Sequence, residues 1–316
     1  MGTYAVRGRF APSPTGYMHL GNVWTAFLAW LQVRQKGGRF VLRIEDIDEA
    51  RSHAEYARAI CYDLKWLGLT WDEGPDVGGA YAPYTQQARY GRYARAIGQL
   101  AEKGLLYPCF CTRARLMGVG APHAGEAVVY DGHCYAMGEA ERKAARAVRA
   151  PSWRVHVPAE EVVFHDMVYG TQKADLAHEV GDFRVRRADG LYAYPLAVTV
   201  DDMEMGITHV VRGRDLLAQT PAQIWLIRTL GAAPPAYAHV PMLVDADGNR
   251  LSKRQKGLTV RELREAGKSP EAILSALAFA GGLIPERREM ALADLVRACD
   301  FYKLHQEDIL LSRLHV

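Results

Sequence analysis

The sequence lacks several features that would place the protein in a large functional class. It has no run of eighteen apolar residues, so we expect no membrane span. The N-terminus has no apolar core typical of a signal peptide. We find neither a glycine-rich dinucleotide fingerprint nor a GxxxxGK(S/T) loop, and no low-complexity tract or internal repeat. These absences exclude the commonest nucleotide-binding loops and favour a globular protein.

Cysteine is scarce, with five residues in a chain of 316. An odd, small number in a long chain predicts a reducing cytoplasm rather than a disulfide framework. The formal net charge is only +3, which permits nucleic-acid binding without requiring it. Apolar residues make up 49% of the chain, enough for a sizeable core.

The first informative stretch is residues 9–22, which reads as the end of a strand, a Pro/Gly turn and the start of a helix. From Val23 onward, apolar residues recur at helical spacing. A turn of this kind directs backbone N–H groups and the positive end of a helix at an anion, usually a phosphate. His19 lies at the helix entrance. On these residues alone, an ordinary strand–turn–helix unit with His19 as a cap fits equally well.

A second stretch, residues 245–254, is a polar loop that contains glycine and ends in Arg-Leu-Ser-Lys-Arg. By itself it is typical of a solvated turn. Together with His-Leu-Gly-Asn at 19–22, in this order and at this wide separation, it resembles the paired HIGH and KMSKS motifs of class I aminoacyl-tRNA synthetases. Asn22, Arg250 and Arg254 differ from the named motifs. Arg250 keeps the charge, and the asparagine is common in the glutamyl branch of the family.

This resemblance implies ATP-dependent activation of an amino acid. Mg²⁺ would arrive with ATP, because no dedicated protein cage for it is visible. His19 and Lys253 carry over as the catalytic residues. The ATP-binding residues that the two motifs imply are His19, Gly21, Asn22, Ser252 and Lys253.

Residues 39–46 read as a second strand, and acidic residues including Glu45 cluster at its carboxyl end, where open α/β sheets bind ligands. This segment resembles the glutamyl branch, as do residues 191–216. The implied substrate is L-glutamate, and the residues implied to bind it are Arg9, Phe10, Ala11, Pro12, Ser13, Glu45, Tyr194 and Arg212.

The chemistry of these residue types agrees with glutamate. A carboxylate such as Glu45 accepts hydrogen bonds from an ammonium group, and the planar fork of Arg212 matches a carboxylate. Each residue also has an ordinary alternative. Glu45 could belong to a solvated acidic loop, Arg212 to a surface ion pair, and Tyr194 to the core.

Three cysteines fall within 26 residues: Cys109, Cys111 and Cys134. Thiolates concentrated in this way fit a structural Zn²⁺ ion, one per chain. On chemistry alone a histidine, His133 or His123, is favoured as fourth ligand over Tyr130. The resemblance to glutamyl-queuosine tRNA(Asp) synthetases, which carry C-x-C followed by Y-x-x-x-C, implies Tyr130, with His133 as runner-up. The alternative is three reduced cysteines without metal.

The predicted fold class is α/β: a class I synthetase Rossmann-like parallel sheet with an inserted zinc-containing α+β subdomain and a short C-terminal helical region. We expect the first half of the catalytic domain at 1–105, the insertion at 106–190, the second half with the KMSKS-type loop at 191–256, and helices at 257–316. No anticodon-binding domain is expected.

Several element predictions can be compared with coordinates. Residues 191–202 read as a buried strand. Residues 153–157, 162–166 and 183–187 read as antiparallel strands of the insertion. Predicted helices cover 50–67, 84–103, 220–230, 259–266, 270–280 and 290–299.

The resemblance covers about residues 5–280 and stops short of the helical domains with which a full glutamyl-tRNA synthetase reads its anticodon. It therefore implies transfer of glutamate to the queuosine base at the wobble position of tRNA(Asp), by a cytoplasmic monomer. Two alternatives stay open. One is a truncated glutamyl-tRNA synthetase that charges a tRNA 3′ end, and the other is a non-catalytic synthetase-like module that binds glutamate or RNA.

Overall fold

The computed structural model describes residues 6–119, 129–249, 251 and 258–314. The strands, in chain order, are β1 (Arg7–Phe10), β2 (Arg39–Leu42), β3 (Leu106–Cys109), β4 (Ser152–Val155), β5 (Glu161–Asp166), β6 (Gly170–Asp175), β7 (Phe183–Arg186), β8 (His209–Gly213), β9 (Ala236–Val240), β10 (Leu243–Val244) and β11 (Ile309–Leu310). The α-helices are α1 (Leu20–Gln35), α2 (Ala54–Trp66), α3 (Tyr90–Glu102), α4 (Arg113–Val119), α5 (Glu139–Val148), α6 (Tyr194–Glu204), α7 (Thr220–Thr229), α8 (Val260–Glu265), α9 (Pro270–Ala280) and α10 (Leu292–Ala298).

The main sheet has six strands in the order β2-β1-β8-β9-β5-β6. All neighbouring pairs are parallel except the β5–β6 hairpin. From the centre of the sheet, β1-α1-β2 runs to one side and β8-α7-β9 runs to the other. The strand order therefore reverses between β1 and β8, which is where open α/β sheets form a ligand crevice.

Helices cover both faces of this sheet. In β2, the side chains of Phe40 and Leu42 belong to one apolar cluster, with α1, α9 and α10, while Val41 between them belongs to another, with α3, α6 and α7. Successive strand residues point to opposite faces, so the two clusters lie on opposite sides of the sheet. Right-handed crossovers running in opposite directions from the sheet centre produce this arrangement. The predicted α/β class with a Rossmann-like sheet is confirmed.

The prediction of a buried strand at residues 191–202 is wrong, because most of this segment is α6. Ala193 is extended and Pro195 lies in the first turn, a favoured way to start a helix. Every residue from Leu196 to Asp202 is buried. A helix buried on all sides shows no amphipathic period, and a short apolar run then cannot be distinguished from a strand by pattern alone.

The predicted antiparallel insertion is only partly correct. Strands β3, β4 and β7 do form a separate antiparallel sheet. Residues 162–166, however, lie in β5, which pairs in parallel with β9 through Asp166 and Tyr237 and so joins the main sheet. Alternation predicted the strand, but no local signal in the sequence specifies which sheet it joins. The domain boundaries stay a prediction.

Most predicted helices are found, with shifted ends. The helix predicted from residue 84 begins at Tyr90, because Thr85 forms a parallel β-bridge with Ile44, just after β2. On either side of this bridge, Tyr84 accepts a hydrogen bond from the Ile44 N–H and the Gln86 N–H donates to Ile44. The helices predicted at 220–230, 259–266 and 270–280 correspond to α7, α8 and α9. Among the described residues, no helix is both long and apolar enough to cross a membrane.

Candidate active site and metal centre

A cavity of about 480 Å³ lies at the carboxyl ends of β1 and β8. Cavities of this size commonly hold small-molecule ligands. It collects every predicted substrate-binding and ATP-binding residue that the structure describes. Those residues are Arg9, Phe10, Ala11, Pro12, Ser13, His19, Gly21, Asn22, Glu45, Tyr194 and Arg212. Their individual roles stay predictions.

His19 caps α1 and also lines the cavity. Its Nδ1 accepts a hydrogen bond from the Gly21 N–H at 3.1 Å, and the Asn22 side chain accepts one from the His19 N–H at 3.2 Å. The cap and the candidate site are therefore the same residues. The first turn of α1 contains no acidic side chain, so the positive end of the helix is not offset there.

Ser252 and Lys253 lie outside the described residues, as do Arg250 and Arg254 of the same motif. The described residues on either side of this undescribed segment lie at the cavity or beside His19. Leu251 lines the cavity. On the other side, Leu258 accepts a hydrogen bond from the Leu20 N–H at 3.1 Å, and Thr259 forms a β-bridge with His19.

One wall of the cavity is backed by a buried charge network. Asp202 on α6 accepts hydrogen bonds from Arg9 at 3.1 Å and from Arg43 at 2.7 Å, and Arg43 also donates to Glu45 at 3.0 Å. Burial acts to raise the pKa of Asp202, but Arg9 and Arg43 hold it below its usual range. Burial raises the pKa of Glu45 even though Arg43 opposes this. The network fixes Arg9 and Glu45 in place.

Asp202 and Arg43 were not among the predicted site residues. A signal existed, since Arg43 stands between Leu42 and Ile44 in an apolar run and a buried charge requires a partner. Which carboxylate would supply that partner was not readable from the sequence. The acidic-loop alternative for Glu45 is excluded, because its exposed fraction is only 6%.

Arg212 on β8 lines the cavity, as does Tyr194. Its exposed fraction is 4%, which excludes the alternative of a surface ion pair. Its Nη1 donates to Gln223 Oε1 at 2.6 Å and its Nη2 to Thr220 Oγ1 at 2.7 Å. Burial raises the pKa of the Tyr194 hydroxyl, Glu45 raises it further and Arg212 lowers it. This tyrosine therefore lies within electrostatic reach of both an acid and a cation.

The three clustered cysteines meet at the end of β3. The Sγ atoms of Cys109, Cys111 and Cys134 all lie within 4.8 Å of one another, a spacing that can hold a metal ion. The Tyr130 hydroxyl lies 3.6 Å from Cys109 Sγ and 3.4 Å from Cys111 Sγ. His133 is exposed and is not part of this cluster. His123 lies outside the described residues.

The donor chemistry around these thiols fits a metal site. Burial acts to raise the pKa of the Cys109 thiol, but hydrogen bonds from the Cys111 N–H, Tyr130 and Arg154 lower it to about 7. The N–H of Phe110 donates to Cys134 Sγ at 3.3 Å. Such donors favour the thiolate of Cys109, the form that binds metal, whereas burial raises the pKa of the Cys111 thiol to about 11.

Comparison with known proteins gives consistent results. The family model "tRNA synthetases class I (E and Q), catalytic domain" matches residues 5–307. A glutamyl-Q tRNA(Asp) synthetase of Symbiobacterium thermophilum is 47% identical over 306 residues, which cover 96% of this chain and 94% of that protein. One from Nitratidesulfovibrio vulgaris is 50% identical over 295 residues, with 92% and 91% covered. A crystal structure of a glutamate tRNA ligase from Elizabethkingia meningosepticum, in complex with its amino acid, has a TM-score of 0.84 and 29% identity, and the match covers 98% of this chain and 68% of that one.

Proposed function

Because the chain belongs to the class I tRNA synthetase family whose catalytic domain serves glutamate and glutamine, we propose that it activates L-glutamate with ATP and transfers the glutamyl group to the queuosine base at the wobble position of tRNA(Asp). The observation that carries this acceptor is the likeness to two glutamyl-Q tRNA(Asp) synthetases, at 47% and 50% identity over more than nine-tenths of their length. A cavity that combines a helix start with an acid and a cation supports the activation step.

In the proposed activation step, an oxygen of the glutamate α-carboxylate attacks the α-phosphorus of ATP. The bond from this phosphorus to the bridging oxygen breaks, and pyrophosphate leaves with Mg²⁺ that arrived with ATP. The His19 ring and the positive end of α1 beside it hold phosphate oxygens. Ser252 contributes to ATP binding, and Lys253 neutralises charge that develops on the leaving group. The protein acts by positioning two anions in line.

Selection of glutamate depends on a different set of residues that line the cavity. Glu45 accepts hydrogen bonds from the substrate ammonium, and Arg212 binds the side-chain carboxylate beside Tyr194. Arg9 to Ser13 line the same cavity, and the Glu45 N–H donates to the Pro12 carbonyl at 2.9 Å. A glutamine amide gains much less from Arg212, so the site discriminates against it.

The acceptor is tested with labelled glutamate, ATP and two tRNA(Asp) preparations that differ only in whether they contain queuosine. We expect label on the queuosine-containing tRNA alone, because the base is the proposed acceptor. We also expect ATP–pyrophosphate exchange without any added tRNA. Label at the 3′ end of tRNA(Glu) would instead support a truncated glutamyl-tRNA synthetase, and absence of both label and exchange would support a non-catalytic binding module.

We further propose that Cys109, Cys111, Cys134 and the Tyr130 hydroxyl hold one structural Zn²⁺. The support is the cluster of three Sγ atoms and a phenol within hydrogen-bond distance of two of them. Zinc at this position would link β3 to the segment that carries Tyr130 and Cys134.

Protein purified without a metal-affinity tag is expected to contain about one zinc per chain. Tyr130→Phe removes a proposed ligand and should lower zinc affinity by about 10-fold or more. His133→Ala is the matched control and should leave affinity unchanged, since His133 lies outside the cluster. The measurement is zinc content by elemental analysis, followed by titration with a chromogenic chelator. A loss in His133→Ala but not in Tyr130→Phe would reverse the assignment.

A further inference from the structure

Three buried side chains from three strands form a hydrogen-bonded chain that ends at Arg212. Asp166 is the last residue of β5, His239 lies in β9 and Arg212 in β8. Asp166 Oδ2 lies 2.7 Å from His239 Nδ1, and Arg212 Nε donates to His239 Nε2 at 3.0 Å. The exposed fraction of Asp166 and His239 is 0%. No part of this chain except Arg212 belongs to the site described above.

The partners of Asp166 define it as an ionised acceptor. Its Oδ1 accepts hydrogen bonds from the N–H groups of Val168 and Tyr169, at 3.0 and 2.9 Å. Its Oδ2 accepts from the backbone N–H of His239 at 3.0 Å as well as from the ring. Burial acts to raise the pKa of this carboxyl, but these donors hold it below its usual range. A carboxylate in this state requires the proton of the histidine ring to be on Nδ1.

Arg212 requires the other ring nitrogen, Nε2, to carry no proton, which is consistent with a proton on Nδ1. A guanidinium has only donors, so its Nε–H needs a lone pair on His239 Nε2. The Thr220 hydroxyl, whose oxygen lies 3.0 Å from the same nitrogen, can donate to it as well. Asp166 and Arg212 therefore both select the neutral ring with its proton on Nδ1. Burial and the charge of Arg212 lower the pKa of His239, although Asp166 opposes this. An imidazolium would direct N–H against N–H at Arg212.

The hydrogen bonds of Arg212 leave a defined part of it for a ligand. A guanidinium has five N–H groups. One contacts His239, one Gln223 and one Thr220. One N–H on each Nη nitrogen remains, and Arg212 lines the cavity. Two parallel N–H groups match the two oxygens of a carboxylate only when the guanidinium plane is fixed.

We infer that Asp166 and His239 are positioning residues for Arg212: by fixing the ring tautomer, they hold the guanidinium plane so that its remaining N–H groups meet the side-chain carboxylate of the substrate. This inference rests on the proposed function, in which Arg212 binds glutamate. Asp166 of β5 and His239 of β9 would then contribute to amino-acid selection through Arg212, without contacting the substrate themselves.

Two substitutions at one position separate the two hydrogen bonds. His239→Gln puts an amide at the distance of Nε2, where its oxygen can accept from Arg212. His239→Asn puts an amide at the distance of Nδ1, which keeps a donor for Asp166 but leaves Arg212 without its acceptor. In ATP–pyrophosphate exchange we expect His239→Asn to raise the KM for glutamate about 10-fold or more, and His239→Gln to stay within about 3-fold of the unchanged protein. The KM for ATP should move less than about 3-fold in both.

A role limited to filling the core predicts a different pattern. It would raise the KM for glutamate and for ATP together, lower the thermal midpoint, and do so equally in the two variants. That result, or a smaller effect of His239→Asn than of His239→Gln, would overturn the inference. A measurement on the unchanged protein avoids any folding defect: ¹⁵N NMR of labelled histidine should show His239 neutral with its proton on Nδ1. A spectrum with the proton on Nε2, or on both nitrogens, would also overturn it.

Arg212→Gln distinguishes this inference from the proposal on which it rests. If Arg212→Gln leaves the KM for glutamate unchanged, the role of Arg212 in the proposed function fails. If it raises the KM while His239→Asn does not, the positioning role alone fails.

Discussion

Arg212→Gln is expected to lower kcat/KM for glutamate on the order of 10³-fold in ATP–pyrophosphate exchange. The variant loses two charge-assisted hydrogen bonds to the substrate carboxylate, each worth roughly 1.5–3 kcal/mol. The loss is large because Arg212 is only 4% exposed, so water cannot take over its role. Activation of glutamine should fall much less, since an amide gains little from the cation in the first place.

The control for this variant lies two residues away. Arg214→Gln removes an arginine whose side chain is 47% exposed and pairs with Asp308 at 2.6 Å. It should leave kcat/KM for glutamate within about 2-fold, because exposed ion pairs contribute little. Thermal midpoints and the KM for ATP are measured for both variants, since Arg212→Gln also removes donors from Thr220, Gln223 and His239. Equal losses in the two variants would contradict the assignment of Arg212.

Lys253→Ala is expected to lower kcat for exchange by about 10²-fold or more while the KM for glutamate stays close to that of the unchanged protein. The ammonium is proposed to act on charge that develops only as pyrophosphate leaves, so its loss affects the transition state and spares glutamate binding. The expectation rests on the contacts of the described residues that flank Lys253. Leu251 lines the cavity, and Leu258 and Thr259 pair with Leu20 and His19.

Lys256→Ala provides the comparison, because it removes the same charge from the same segment. If general attraction between this segment and ATP were sufficient, both variants would lose similar activity, mainly through the KM for ATP. We expect Lys256→Ala to retain kcat within about 3-fold. Near-normal exchange by Lys253→Ala would refute the proposed role of this lysine.

Sequence patterns predicted elements well where local chemistry decides the structure. Thr259 caps α8 in a reciprocal box with Glu262, and Ser269 caps α9 ahead of Pro270, as the residue types favour. The same reasoning failed at α6, since a helix buried on all sides has no exposed face to mark its period. It also failed for the sheet assignment of β5, because alternation identifies a strand and says nothing about its neighbours.

The sequence by itself determined the family, the two motif segments, the acid and the cation implied to select glutamate, and the set of thiols proposed for zinc. Each of these depends on residue type and spacing within a short segment. Only the tertiary structure decided which other groups contact these residues and hold them in place. Asp202 meets Arg9 across 193 positions and Asp166 meets His239 across 73. The order of the strands creates such contacts, and that order depends on which distant apolar faces pack together, so no short stretch of the chain contains it.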